Sequence, residues 1–313
     1  MMTDIVGHYV DHEMTSPFQM AQHSAKIKPM AIDLAKRGIL LITTCLRVEV
    51  YGEESALGNI DLLFSGFPRA LVKGARAVAK RLAEISSGAK SQILGEPYVN
   101  DQVSNAVALL DPALPISRIA RLALGVGRAS RERLHFIAPF NYDRIVYDLI
   151  AEQFKGIEEP GRLYMIGAGM LGRDLISTRG ADRFRSTVVV TRNPKKLRRR
   201  LRGSSDREIA IMRPEEIGGV RELRSCAAIA TADLSEDYKA ALKGALLRLE
   251  PRIIVDLSSI PVLSKCAVPK LNYVTMYDQD FLRLIDLNNQ HLVSKLPLLL
   301  SDIERTLPTA EVF

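Results

Sequence analysis

Residues 162–172, RLYMIGAGMLG, run an apolar stretch into three glycines, Gly167, Gly169 and Gly172, and open directly into the helical pattern MLGRDLISTRG. In such a strand-turn-helix setting the first glycine permits a tight turn and the second lets backbone approach a pyrophosphate. The third lets helix pack on strand. The helix start would present its unpaired N–H groups to the phosphates. The spacing therefore predicts a dinucleotide site on Gly167, Gly169, Met170, Leu171 and Gly172; a purely structural glycine turn is the plainer alternative.

Working outward, further apolar runs follow: STVVVT, EIAIM, CAAIA, RIIVDL and NYVTMY, separated by segments long enough for right-handed helical crossovers. This reads as an α/β, doubly wound, Rossmann-type domain. The second strand ends in Thr191, Arg192 and Asn193, with Lys195 close behind, where NAD-selective sites usually place a carboxylate for the ribose 2′-OH. A guanidinium there suits a 2′-phosphate, so NADPH is the expected cofactor.

The polar turn around Glu158, Glu159, Pro160 and Gly161 marks a change of pattern. Before it, strand DIVGHYV, a long helical run from Pro17 to Gly38, two strands flanking Thr43, Thr44 and Cys45, and helices around 69–86, 100–110, 117–133 and 141–155 make an α+β domain. After Tyr277 the pattern is helical and broken at Pro297. The expected organisation is residues 1–157 as an α+β catalytic domain, 158–277 as the NADP-binding domain, and 278–313 as a C-terminal helical segment.

With 47% hydrophobic and 25% charged residues among 313, the composition is that of an ordinary folded protein and excludes extensive disorder. The formal charge of +7 suits a polyanion such as RNA, although the basic run RNPKKLRRRLR reads equally as a solvated helix face or as the surround of a 2′-phosphate. Cys45, Cys226 and Cys266 are far apart and form no C-x-x-C pair, so no disulfide framework or zinc site is expected and a reducing cytoplasm fits. The charged N-terminus lacks the apolar run of a signal peptide, and no stretch reaches the roughly 20 apolar residues of a membrane span.

In LLITTCLRVEVYG, residues 45, 47 and 49 stand at alternate positions. If all three lie in one strand they share a face, so Arg47 could favour the thiolate of Cys45. From the pattern alone, a small buried cysteine beside a surface Arg47–Glu49 ion pair is the simpler reading.

TTCLRVEVY nonetheless resembles the cysteine signature of the glutamyl-tRNA reductase family. SSGAKSQILGEPYVNDQV resembles its second signature through Gly88, Ser91, Leu94, Gly95, Glu96 and Gln102. IGAGMLG with VVVTRN, and IIVDLSSIP with NYVTMYDQD, supply two more matches in family order, together covering about residues 36–285. The resemblance implies a cysteine thiolate that takes an aminoacyl group from tRNA as a thioester, and hydride from NADPH that releases an aldehyde. In the family this is glutamate 1-semialdehyde, the first intermediate of tetrapyrrole synthesis. It implies Cys45 as nucleophile, Arg47 as an anchor for the substrate, Thr44 and Ser91 as pocket residues, and Glu96 and Gln102 on the substrate side, mainly organising the fold. A partner enzyme that accepts the aldehyde is part of the same expectation.

Departures from the family pattern cluster on the substrate side. Leu46 stands where the family has Asn, Arg81 aligns with a histidine, Lys90 with an aspartate, and APFNYDRIVYD replaces a serine-rich segment; His8 or His12 echoes an N-terminal histidine motif. Two alternatives stay open: a reductase of another aminoacyl-tRNA or acyl thioester, and a silent NADP- or tRNA-binding regulator. The chain carries the start of the family's connecting helix, from about Asp278, without the helical dimerisation domain, which leaves the oligomeric state open.

Overall fold

The computed structural model describes residues 4–58, 60–139, 142–156, 161–167, 169–177, 184–201, 209–217, 224–231 and 235–309. Its chain divides into two compact units, Met1–Pro139 with Ile285–Phe313, and Phe140–Leu284. The divisions fall at 139/140 and 284/285, where the sequence suggested 157/158 and 277/278.

The first unit is built on β1 (Ile5–Asp11), α1 (Pro17–Ile27), α2 (Ala31–Lys36), β2 (Leu40–Thr44), β3 (Arg47–Glu53), α3 (Glu54–Leu57), β4 (Ala70–Lys73), α4 (Ala75–Ser86), α5 (Tyr98–Val107) and α6 (Pro115–Arg133). The strands form one sheet in the order β2-β3-β1-β4, and the pairs β1–β3, β1–β4 and β2–β3 are all antiparallel. Because side chains alternate along a strand, Val48 and Val50 of β3 join Val6, Val10, Met20 and Leu34 in a core on one face. Tyr51 joins Ile5, Leu40, Val78, Leu82 and Ala120 on the other. Each such aliphatic side chain contributes roughly 1.5–3 kcal/mol through burial. Gly127 brings α6 onto α4: a Cβ there would stand 2.3 Å from Ser86 Oγ and 2.6 Å from Ala83 O.

Two elements differ from expectation. Residues 70–73 form edge strand β4, where the sequence suggested that a helix begins at 69; the helix starts only after Gly74, whose φ of +92° breaks the pattern. The C-terminal segment is no separate appendage. Leu292, Leu299, Ile303 and Leu307, from α11 (Gln279–Val293) and from α12 (Leu296–Thr306) and its end, enter the core of the first unit. Pro297 sits in the first turn of α12, where a missing N–H costs nothing.

The second unit contains α7 (Tyr142–Gln153), β5 (Arg162–Ile166), α8 (Met170–Ser177), β6 (Ser186–Val190), α9 (Pro194–Leu201), β7 (Ala210–Met212), β8 (Cys226–Ile229), α10 (Glu236–Leu249), β9 (Ile254–Asp256) and β10 (Tyr273–Thr275). All six expected strands are present, parallel, in the order β10-β9-β8-β5-β6-β7. The helix α7 belongs here because Tyr147 donates its hydroxyl hydrogen bond to Leu175 O at 2.6 Å and the Tyr142 ring stacks 6.3 Å from that of Phe281. No helix among the described residues is long and apolar enough to cross a membrane.

Candidate functional site

Thr44 and Arg47 face each other as the closing pair of the β2–β3 hairpin, so Cys45 and Leu46 are its two-residue turn. This corrects the reading of Cys45, Arg47 and Glu49 as one strand face. Arg47 and Glu49 share a face with Tyr51, whereas Cys45 lies in the turn, outside that alternation. The Thr44 hydroxyl braces the turn by accepting from the Leu46 amide at 3.1 Å, and Leu46 is buried. On the other side, the His12 amide donates to Leu46 O at 2.9 Å. Of the two candidate histidines, His12 thus adjoins the turn and His8 lies mid-strand in β1. Burial and the charge of Arg47 hold the His12 imidazole below its usual pKa, and its Nδ1 is buried without a hydrogen-bond partner.

Beneath the turn lies a buried ionic network that the sequence does not announce. Arg47 and Glu49 are 1% and 0% exposed. Arg47 donates from Nη1 to Glu49 Oε1 at 3.4 Å and from Nη2 to the Lys90 carbonyl, leaving only Nε without a partner. Glu49 also accepts from the Tyr51 hydroxyl and twice from Arg81 of α4, whose guanidinium further reaches Asp11 at 3.0 Å and lies 3.2 Å from the Tyr9 ring centroid. Asp11 and Tyr9 come from β1, opposite Arg47 and Glu49 in register. The polar residues of VEVY and GHYVD hint that this sheet face is not purely apolar; nothing in the sequence pairs them with position 81.

The loop from Gly88 to Glu96 forms the other wall. Ser91 is buried and its hydroxyl donates to Glu96 Oε1 at 3.4 Å, while Glu96 Oε2 accepts from the Tyr98 amide at 3.2 Å. Burial pushes the Glu96 carboxyl up to about 7, against the pull of those donors and of Arg47. Burial and the charge of Glu96 push the Cys45 thiol up to about 11, opposed by Arg47 and Lys28. The expectation that Arg47 favours the thiolate holds in direction. Its field has the expected sign and is outweighed. Gln102 is exposed on α5, one turn beyond Tyr98.

In the second unit the glycine turn meets its spatial test. Gly167 has φ +95°, and a Cβ there would stand 2.4 Å from Ala230 O; a Cβ at Gly172 would stand 2.3 Å from Gly167 O. At Gly169 a Cβ would meet nothing within 4 Å among the described residues, so the middle glycine borders space that they leave open at the start of α8. Met170 and Leu171 supply the first residues of that helix. At the end of β6, the Thr191 hydroxyl accepts from the Asn193 amide at 3.3 Å, and Asn193 Oδ1 caps α9 by accepting from Lys196 N at 3.2 Å. Arg192 and Lys195 are exposed, and Arg192 lies 5.5 Å from the Tyr238 ring centroid. Among the described residues, no group of three or more His, Cys, Asp or Glu is placed to hold a metal ion.

No family model matches the chain. It is 51% identical over 310 residues to Protein nfe2 of Rhizobium meliloti, covering 99% of this chain and 100% of that one. It is also 23% identical over 262 residues to a glutamyl-tRNA reductase of Acetivibrio thermocellus, covering 78% of this chain and 75% of the relative. The chain belongs to the nfe2 family and is a divergent relative of the glutamyl-tRNA reductases. The glutamyl-tRNA reductase structure from Methanopyrus kandleri shares the fold of this nfe2-type chain, with a TM-score of 0.50 and 19% identity over 99% of this chain and 80% of that one. Of Leu46, Arg81 and Lys90, the departures from the reductase pattern, Arg81 is the one whose side chain is bonded into the buried network.

Proposed function

We propose that the chain reduces an acyl group presented as an ester on the 3′ end of a tRNA, by default glutamyl-tRNA, to the aldehyde. Cys45 is the nucleophile and NADPH the reductant. The reaction would open tetrapyrrole synthesis if the aldehyde is glutamate 1-semialdehyde. The observation that carries this reading is the position of Cys45 at a braced hairpin turn within the fields of Arg47 and of the Ser91-bonded Glu96, in a chain related to proteins named glutamyl-tRNA reductase.

The residues of the glycine turn fit a dinucleotide, since the one glycine that borders open space is the one a pyrophosphate must approach. Gly167, Gly169, Met170, Leu171 and Gly172 would hold that pyrophosphate. Thr191, Arg192, Asn193 and Lys195 would hold a 2′-phosphate. The chemistry NADPH supplies when bound is hydride delivery to an acyl carbon.

The chain's own part is nucleophilic catalysis. Cys45 Sγ attacks the ester carbonyl carbon, the C–S bond forms, the C–O bond to the 3′-oxygen breaks, and the thiol proton ends on that oxygen. Reduction of the thioester then releases the aldehyde and returns the free cysteine. Arg47 cannot act as a two-pronged carboxylate clamp while both Nη atoms are engaged, so its role is a fixed positive field on the sulfur plus one donor, Nε. Thr44 and Ser91 shape the pocket by bracing the turn and the facing loop.

NADPH oxidation on addition of glutamyl-tRNA, abolished by Cys45→Ser, is the expected result; hydride transfer retained in that variant removes Cys45 from the mechanism. A second reading, binding without turnover, draws on the high thiol pKa, and an acyl adduct on Cys45 excludes it.

A further inference from the structure

The loop carrying Ser91 and Glu96 is fastened from several directions. Arg47 Nη2 ties its Lys90 carbonyl to the cysteine hairpin. Arg131 of α6 donates to Gly95 O at 2.7 Å and to Glu96 O at 3.0 Å, and Asn289 of α11 accepts from Leu94 N at 2.9 Å and donates to Gln92 O at 2.8 Å. Gly88 and Gly95 both have positive φ, and a Cβ on Gly88 would stand 2.9 Å from Gly95 Cα, so the loop is also closely packed on itself. Such fastening exceeds what a surface connection needs and holds one carboxyl in place.

We infer that Glu96 carries the proton between the Cys45 sulfur and the leaving 3′-oxygen of the ester, a catalytic role beyond pocket shape. The inference rests on the acyl-transfer reading above. In the step, the S–H proton passes to the Glu96 carboxylate as the C–S bond forms, the ester C–O bond breaks with its electron pair on oxygen, and Glu96 returns the proton to that oxygen. Thiol plus ester becomes thioester plus alcohol, with no change of oxidation state.

The charges around the pair agree with this role. Burial and the Glu96 carboxylate act against the Cys45 thiolate, Arg47 and Lys28 act for it, and the His12 amide holds the Leu46 carbonyl of the same turn. On the Glu96 carboxyl act the Tyr98 and Val99 amides, the Ser91 hydroxyl and Arg47. A carboxyl poised near neutrality suits a group that must both accept and return a proton.

The test uses the full chain with Cys266→Ser, which removes the exposed cysteine, and compares wild-type Glu96 with Glu96→Gln and Glu96→Asp. Two rates are read across pH: alkylation of Cys45 by iodoacetamide, followed by intact mass, and single-turnover acyl transfer from glutamyl-tRNA to Cys45. Glu96→Gln is expected to alkylate faster, because no carboxylate then opposes the thiolate, yet to accept the acyl group slower by roughly 10²–10⁴-fold and to lose the inflection near neutral pH. Glu96→Asp, which keeps a carboxylate, is expected to retain part of the acyl-transfer rate. Both rates falling together in Glu96→Gln, as for a purely structural residue, overturns the inference, and so does acyl transfer at the wild-type rate. If wild type accepts no acyl group from any charged tRNA, the acyl-transfer reading fails; the alkylation arm still judges the coupling, and an unchanged alkylation profile in Glu96→Gln overturns it independently.

Discussion

Arg81 grips Glu49 with two guanidinium nitrogens, Nε to Oε2 and Nη2 to Oε1, each at 2.9 Å, inside the sheet face below the cysteine turn. Asp11 and Arg47 complete a four-charge set that sums to zero and is almost fully enclosed. A fixed cation stands here where the glutamyl-tRNA reductase pattern has a titratable histidine.

Removing one member of this set leaves a buried charge without its partner. Arg81→Ala is expected to destabilise the fold by about 3–5 kcal/mol, and adding Glu49→Gln to recover part of that loss. Urea unfolding of the two single variants and the double variant measures the coupling; a loss under about 1 kcal/mol for Arg81→Ala would contradict the network as described.

The three glycines of the turn are expected to separate by phenotype. Gly167→Ala and Gly172→Ala force a Cβ against backbone at 2.4 and 2.3 Å and should lower thermal stability without any ligand. Gly169→Ala meets open space, so it should fold normally and lose the stabilisation that NADPH confers on the parent. Thermal melts with and without NADPH distinguish the two behaviours.

Arg192→Ala should weaken NADPH binding while leaving NADH binding nearly unchanged. A charge-assisted contact to a 2′-phosphate is worth about 1.5–3 kcal/mol, or roughly 10- to 100-fold in affinity. Titration calorimetry with both dinucleotides reads the ratio, and equal losses for the two would move the 2′-phosphate site away from Arg192.

The raised Glu96 carboxyl makes stability depend on pH with a definite sign. Its folded value of about 7 lies above the ordinary 4.5, so between those values the folded state binds the proton more tightly than the unfolded chain does. This contribution is present below pH 4.5, declines as pH rises through the window to 7, and is gone above it, at most about 3 kcal/mol in all. The difference in stability between wild type and Glu96→Gln should follow that curve. A difference that is flat from pH 4.5 to 7.5 would remove the perturbed carboxyl.

What the sequence makes legible follows from the range of the interactions involved. All six strands of the parallel sheet and the glycine turn are local signals, an apolar run or a spacing of three glycines, and the structure places them in one sheet. The β4 edge strand is less legible because ALVK is short, apolar and continuous with a helical pattern, and only Gly74 separates them. The packing of Leu292, Leu299 and Ile303 into the first unit depends on residues far away in sequence. At the site, the alternation of Arg47 and Glu49 is readable, but the one-residue difference between a strand and a turn moves Cys45 off their face. The upward push on the thiol is illegible for a physical reason: a neighbouring arginine is visible in the sequence, whereas burial and the carboxylate of Glu96, brought in by a loop more than forty residues away, are not.

The proposed reaction stands on one step, transfer of an acyl group from charged tRNA to Cys45. Intact-protein and peptide mass spectrometry after mixing the full chain with glutamyl-tRNA, without NADPH, tests it most directly. A glutamyl thioester is expected on the peptide containing Cys45, absent in Cys45→Ser and discharged as an aldehyde when NADPH is added. An unmodified Cys45 after exposure to the full set of charged tRNAs would contradict it.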